Sequence, residues 1–223
     1  LIVALVTVWN LRMTGVTIAN GATCGYEEHQ HIEQCNQNGE NSCGIAEHIH
    51  TISCYSDPAA DVETAEIWEA TLPEELGKYW SENLARIALS QIGVTESQKN
   101  FVLADDGQTK QGITRYGQWY GNPHGDWSAM FAAFCLHYAD VPQDAIPWSP
   151  GVYNMMQLCM DKGILSPSDD HVGANGNILF LDTDGNGNAD KILIATALET
   201  YGAEESSEEL IKAVGGDWNN AVT

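Results

Sequence analysis

Cys24, His29, His31 and Cys35 form one set of metal-ligating side chains, and Cys43, His48, His50 and Cys54 form a second. Both sets read C-x4-H-x-H-x3-C. The second copy follows 19 residues after the first and repeats Gly25 as Gly44 and Glu28 as Glu47. Thiolate and imidazole are the donors zinc takes in tetrahedral sites, and Cys2His2 is a standard set. The spacing therefore predicts one zinc ion per repeat, held by that repeat's own four residues. Each repeat is too short to build a core, so the metal would supply its folding energy. Two disulfides, Cys24–Cys35 and Cys43–Cys54, are the competing reading, and free thiols a third. Disulfides leave the two His-x-His pairs unexplained.

Asp182, Asp184, Asn186 and Asp190 carry oxygen donors at the spacing of a calcium loop, with Gly187 at the sharp turn. An EF-hand needs a bidentate Glu at the loop's last position, which here is Leu193, and the flanks read as strands. A solvated hairpin turn explains the same Asp, Asn and Gly residues. Both readings stay open.

A third group has to be gathered from distant parts of the chain. Gly125-Asp126-Trp127-Ser128-Ala129-Met130-Phe131 opens an apolar helix, Asp190-Lys191-Ile192 opens a strand, and Val214-Gly215-Gly216-Asp217-Trp218-Asn219 follows later. These stretches resemble the nucleophile helix, the base-bearing strand and the orienting position of the CHAP and NlpC-type papain-like cysteine amidases, which hydrolyse peptidoglycan. The resemblance covers about residues 80–223. It implies a papain-like α+β fold, with helices packed on a small antiparallel sheet. It places Ser128 where the family has its Cys, Lys191 where it has His, Gly215 in place of the orienting Glu, and Asp217 in place of Asn. The family site works through a thiolate activated by a helix N-terminus and a nearby His. With all of these replaced, the resemblance implies a pseudoenzyme that binds peptidoglycan or wall peptide. Ser–Lys pairs catalyse acyl transfer on other folds, which keeps a Ser128–Lys191 amidase or endopeptidase as the alternative. His124 is the nearest candidate for a displaced base; His171 reads as a loop residue. Trp119, Tyr120 and Trp127 lie close to Ser128 in sequence and are either aromatic ligand contacts or core. The Cys/His repeats are similar to those ahead of wall-directed domains in surface proteins of Gram-positive bacteria.

The elements that must position these residues are legible in outline. Ser81 is expected to cap a helix carrying Leu84, Ile87 and Ala88, ended near Gly93. Asp126 is expected to cap a second, with Met130, Phe131, Phe134, Cys135 and Tyr138 on one face. A third runs from Tyr153 to Lys162, stopped by Gly163. Ile178–Leu181 and Ile192–Leu198 flank the Gly-rich turn as a hairpin, and Leu210–Val214 reads as another strand. Helices first and antiparallel strands after predict an α+β domain. Cys135 and Cys159 fit as small core residues. The segments divide as an apolar stretch over 1–19, the repeats over 20–56, an acidic linker over 57–79 with one short helix, and the main domain over 80–223.

The chain has 223 residues and a net charge of −22, with nine Lys and Arg. Such a surface repels phosphate backbones, which excludes nucleic acid as a natural partner. The run Leu1–Leu11 is almost wholly apolar and is followed by Arg12. It is expected to be the tail of an export or membrane-anchor segment, which places the protein outside the cell or on its surface.

Overall fold

The computed structural model describes residues 21–37, 40–41, 43–167, 174–201 and 208–223. The apolar stretch 1–19, with the export segment expected there, and His171 lie outside them. No helix among the described residues is long and apolar enough to cross a membrane. The chain forms two compact units. One comprises the described residues through Ala60 together with Gln98–Lys110; the other comprises Asp61–Ser97 and Gln111–Thr223. The boundary cuts the acidic stretch 57–79, and an excursion from within the later sequence joins the Cys/His repeats.

The first unit is nearly without regular structure. It has two single-turn 3-10 helices, Glu33–Cys35 and Ile52–Tyr55, and a minimal hairpin of β1 (Asn36–Gln37) and β2 (Glu40–Asn41). A second small sheet pairs β3 (Phe101–Leu103) with β4 (Lys110–Gly112). Backbone and side-chain hydrogen bonds fasten the excursion to the end of the repeats. Asp57 N–H donates to Lys99 O at 2.8 Å, and Phe101 N–H donates to Ser56 Oγ at 3.0 Å. Ile32, Ile45, Ile49 and Ile52 are all exposed, whereas Cys35 and Cys54 are buried. In the repeats the buried residues are thus two of the ligating cysteines, while the excursion buries Asn100 and Phe101.

The second unit is α+β. Its helices are α1 (Ala65–Glu69), α2 (Trp80–Ser90), α3 (Arg115–Tyr120), α4 (Ser128–Tyr138) and α5 (Val152–Asp161). Its strands are β5 (Ile178–Leu181), β6 (Lys191–Tyr201) and β7 (Glu208–Gly215), antiparallel in the order β5-β6-β7. The predicted hairpin is present with Phe180 opposite Ile192, and the predicted last strand pairs Val214 with Ile194.

Two expectations need correcting. α4 is not one-faced: every residue from Ser128 to Leu136 is buried, as suits a helix apolar on all sides. It is surrounded by α2, α3, α5, β6 and β7. Nor does Asp126 cap it, because Trp127 is the cap residue and makes no side-chain cap bond. Ser81 likewise lies within α2, whose cap is Tyr79. The cap that does form is Thr114, whose hydroxyl accepts from Gly117 N–H at 3.0 Å at the start of α3. Gly121, left-handed at φ 89°, ends α3 and turns the chain toward α4.

Trp127 and Phe131 press against the chain where it leaves β7. A Cβ built at Gly216 would stand 2.5 Å from Phe131 Cβ and 3.0 Å from Trp127 Cζ3. Gly216→Ala should therefore displace the aromatic core or the strand end and cost about 1–3 kcal/mol, as overpacking does. Urea unfolding checks this, with Gly21→Ala, which meets nothing within 4 Å, as the near-neutral control.

Candidate functional site

The two repeats meet along an antiparallel bridge. His29 N–H donates to His48 O at 2.9 Å, and His48 N–H donates to His29 O at 2.8 Å. This pairing decides which ligands converge. Cys24, His48 and Cys54 form one cluster, and His29, Cys35 and Cys43 form the other, with the ligand atoms of each lying within 4.8 Å of one another. The sets predicted within single repeats are not the sets formed. In each cluster the first Cys comes from one repeat and the His and last Cys come from the other.

His48 Nε2 lies 3.4 Å from Cys24 Sγ and 3.6 Å from Cys54 Sγ. His29 Nε2 lies 3.4 Å from Cys43 Sγ and 3.7 Å from Cys35 Sγ. Tetrahedral coordination with Zn–S about 2.3 Å and Zn–N about 2.05 Å places S and N about 3.6 Å apart. The separations match ligands arranged around an ion. Either cluster can therefore hold a metal ion.

All six cysteines are free thiols. Cys24 is grouped with Cys54 and Cys35 with Cys43, so the disulfides Cys24–Cys35 and Cys43–Cys54 do not describe this arrangement. Hydrogen bonds from Thr51, backbone first and then hydroxyl, hold the Cys54 thiol below its usual pKa, which favours the thiolate a metal needs.

His31 and His50 are outside both clusters. His31 Nε2 sits 2.9 Å from Ile45 O, and His50 Nε2 sits 3.0 Å from Tyr26 O. They brace the opposite repeat instead of ligating. Each set thus has three protein ligands among the described residues, one short of a closed structural site.

The acidic turn brings Asp182, Asp184 and Asp190 within the same 4.8 Å limit, but local donors occupy the carboxylates. Asp182 accepts from the amides of Gly185, Asn186 and Gly187. Those bonds, Gly187's first, hold its carboxyl below its ordinary pKa. Asp184 accepts from Asn186, Asn186 from Asn188 N–H, and Asp190 from the Thr183 hydroxyl at 2.7 Å. The turn closes on its own hydrogen bonds.

In the second unit, Ser128, Lys191 and Asp217 line one cavity of about 350 Å³, together with Asp126, Asp190, Pro150, Gly151 and Val152. Ser128 is the first residue of α4 and is buried, and its Oγ accepts from Ile192 N–H at 2.9 Å. Lys191 opens β6 and gives Nζ to Asp217 twice, at 2.9 Å to Oδ2 and 2.6 Å to the carbonyl O. Asp217 is left-handed at φ 66°, a conformation Asp tolerates better than most residues.

The turn that presents Asp217 is fixed on its far side. Trp218 N–H donates to Ala221 O at 3.0 Å, and Val222 N–H donates to Val94 O at 2.9 Å. A Cβ at Gly215 would lie 2.3 Å from Leu193 Cδ2 and 2.5 Å from Trp218 Nε1, so both side chains would have to shift.

His124 is not in the cavity lining; its Nδ1 lies 3.1 Å from Gln111 O. Trp127 is core, stacked on Tyr116 with 5.4 Å between centroids, and its Nε1 donates to the buried Glu96. Trp119 and Tyr120 are half-buried against the core, and Trp119 packs on Phe134, His137 and Tyr138. None of the three aromatics lines the cavity. Cys135 and Cys159 are buried as expected, and burial pushes both thiols up in pKa.

Sequence reasoning missed Pro150, Gly151 and Val152 as cavity residues. They enter because α5 starts there, and its N-terminus, like that of α4, has no side-chain cap bond. It also missed the buried polar network in which Gln91 Oε1 accepts from Arg115 and Tyr116 while Arg115 pairs with Glu63 at 2.9 Å. Polarity alone misleads at this step: Gln91 is fully buried and its apolar neighbour Ile92 is exposed. Comparison of the chain with family models, curated proteins and solved structures finds no match.

Proposed function

We propose that this is an exported, cell-wall-associated protein. Its second unit is a non-catalytic relative of the papain-like CHAP/NlpC amidases and binds peptidoglycan or wall peptide. Its first unit is a pair of repeats stapled by zinc.

The observation that carries the non-catalytic reading is how the would-be nucleophile and base are engaged. Ser128 Oγ is buried and accepts the Ile192 amide, while Lys191 Nζ is held by two oxygens of Asp217. A serine nucleophile needs an available, well-placed base. Here the amine at the base position is committed to an ion pair. Binding is supported by the cavity itself. The first residues of two helices whose N-termini lack side-chain caps line it, alongside Lys191 and three Asp. Helix N-termini attract carboxylates, and Asp attracts amines, so a zwitterionic peptide suits this lining.

Zinc is supported by the donor set, two thiols and an imidazole per cluster, which suits zinc better than hard cations. For the acidic turn, the internally bonded carboxylates support a hairpin turn over calcium.

A Ser128–Lys191 enzyme is the second reading, favoured by the shared cavity of Ser128, Lys191 and Asp217. One assay separates the two. The purified chain mixed with Gram-positive walls should sediment with them and release no soluble muropeptides. Release abolished by Ser128→Ala would establish the enzyme, and failure to sediment would remove the binding role.

A further inference from the structure

We infer that the metal-binding entity is the interlocked pair of repeats and not the single repeat, with each ion held by Cys24, His48 and Cys54 or by Cys43, His29 and Cys35. The inference rests on the zinc reading above and goes beyond it, by fixing which residues share an ion and making each ion a clasp between repeats.

The support is an exchange symmetry that runs through the ligand and bracing contacts. Advancing each residue by the repeat length converts one set of interactions into the other with the partners swapped. Cys24 Sγ to His48 Nε2 is 3.4 Å, and Cys43 Sγ to His29 Nε2 is 3.4 Å. Cys54 Sγ to His48 Nε2 is 3.6 Å, and Cys35 Sγ to His29 Nε2 is 3.7 Å. His50 braces Tyr26 O at 3.0 Å, and His31 braces Ile45 O at 2.9 Å. The rings repeat as well, with His29–His31 at 5.1 Å and 74° and His48–His50 at 5.0 Å and 71°.

The reciprocal His29–His48 bridge is the centre of this exchange. An antiparallel pairing there carries the stretch before one His past the stretch after the other. The leading Cys of each repeat must then meet the trailing Cys of its partner. A lone repeat retains one His and one Cys of a set and lacks the third ligand. Two ligands hold zinc far less firmly than three, so neither repeat completes a site alone.

The roles of the two histidines follow. The first His of each His-x-His pair is a ligand. The second is a positioning residue, its Nε2 tied to a carbonyl two residues beyond the leading Cys of the opposite repeat. Tyr26 follows Cys24 by two, and Ile45 follows Cys43 by two.

Paired cysteine variants of the full chain discriminate the two partitions. The chain is reduced, stripped with chelator, loaded with zinc(II), desalted and analysed for bound metal. The unsubstituted chain should retain two equivalents, one per cluster. Cys24→Ser with Cys54→Ser damages one interlocked cluster and should retain one equivalent. Cys24→Ser with Cys35→Ser damages both and should retain none. Ligand sets confined to single repeats predict the reverse for these two variants. His31→Ala with His50→Ala should keep both equivalents. Loss of both ions from Cys24→Ser/Cys54→Ser, retention of one by Cys24→Ser/Cys35→Ser, or loss of metal from His31→Ala/His50→Ala overturns the partition. No zinc on the unsubstituted chain overturns instead the zinc reading on which it rests.

Discussion

Chelation at neutral pH is expected to unfold residues 21–60 while the second unit keeps its thermal transition. Apparent binding free energies of about 10–16 kcal/mol for structural zinc in small peptides set the scale of what is removed. Little apolar core holds the segment together. Its isoleucines at 32, 45, 49 and 52 are exposed, its strands are two residues long, and its buried apolar residues are Cys35 and Cys54. Limited proteolysis with and without chelator should show new cuts confined to the repeats. Thiol titration gives an independent readout. Of the six free cysteines, the four in the clusters should become reactive on chelation, while buried Cys135 and Cys159 stay silent until the second unit unfolds. Thiolate and neutral imidazole are the binding forms, so the stabilisation is lost as pH falls. If chelator changes neither the cleavage pattern nor the thiol count, metal does not hold the repeats.

The repeats show where reading along a chain stops. Their existence, spacing and ligand types were all visible as letters recurring at a fixed interval. Their partition was not, because C-x4-H-x-H-x3-C looks complete in one dimension, and only the antiparallel bridge at His29 and His48 reveals that each half closes on the other. The excursion Gln98–Lys110 joined the first unit with no signal in composition or period; its attachment rests on Ser56, Asp57 and Asn100 hydrogen bonds that a sequence does not display. In the second unit the strand hairpin and α5 followed from apolar runs and flanking glycines. α4 was found but given a solvent face it lacks, since Ala129, Ala132 and Ala133 are neutral in a periodicity argument yet are buried like their larger neighbours. Trp127 could be read as contact or core; its stacking on Tyr116 and its bond to Glu96 make it core. Ser128, Lys191 and Asp217 share no local pattern at all. They were drawn together through a family resemblance, and they do line one cavity, but the Lys191–Asp217 ion pair lay outside what the resemblance suggested.

That ion pair shapes the second large effect. Ser128→Cys alone should leave the protein unable to release muropeptides, whereas Ser128→Cys combined with Lys191→His should gain measurable release. A cysteine at the first position of α4 receives the helix N-terminus that favours thiolate. Its weakness is the base. Lys191, at the base position, is bound to Asp217 at 2.9 Å. An imidazole at 191 would line the same cavity as the Asp217 carboxylate that now holds the ammonium. A carboxylate partner orients an imidazole and stabilises its charged form. A positioned general base contributes typically 10²–10⁴-fold, which separates the double variant from Ser128→Cys in a dye-release or muropeptide assay. The cost to the fold arises in two places: sulfur is a weaker acceptor than oxygen for the Ile192 amide, and the double variant also loses both Lys191–Asp217 bonds. A melting curve on each variant shows whether the fold has survived. A folded double variant that sediments with wall yet releases nothing would mean that the cavity binds without ever presenting a scissile bond to residue 128. The resemblance to cysteine amidases would then fail as a guide to how this cleft holds its ligand. Release by Ser128→Cys alone would show that a group already in the cavity, Lys191 or one of the three Asp, serves as the base.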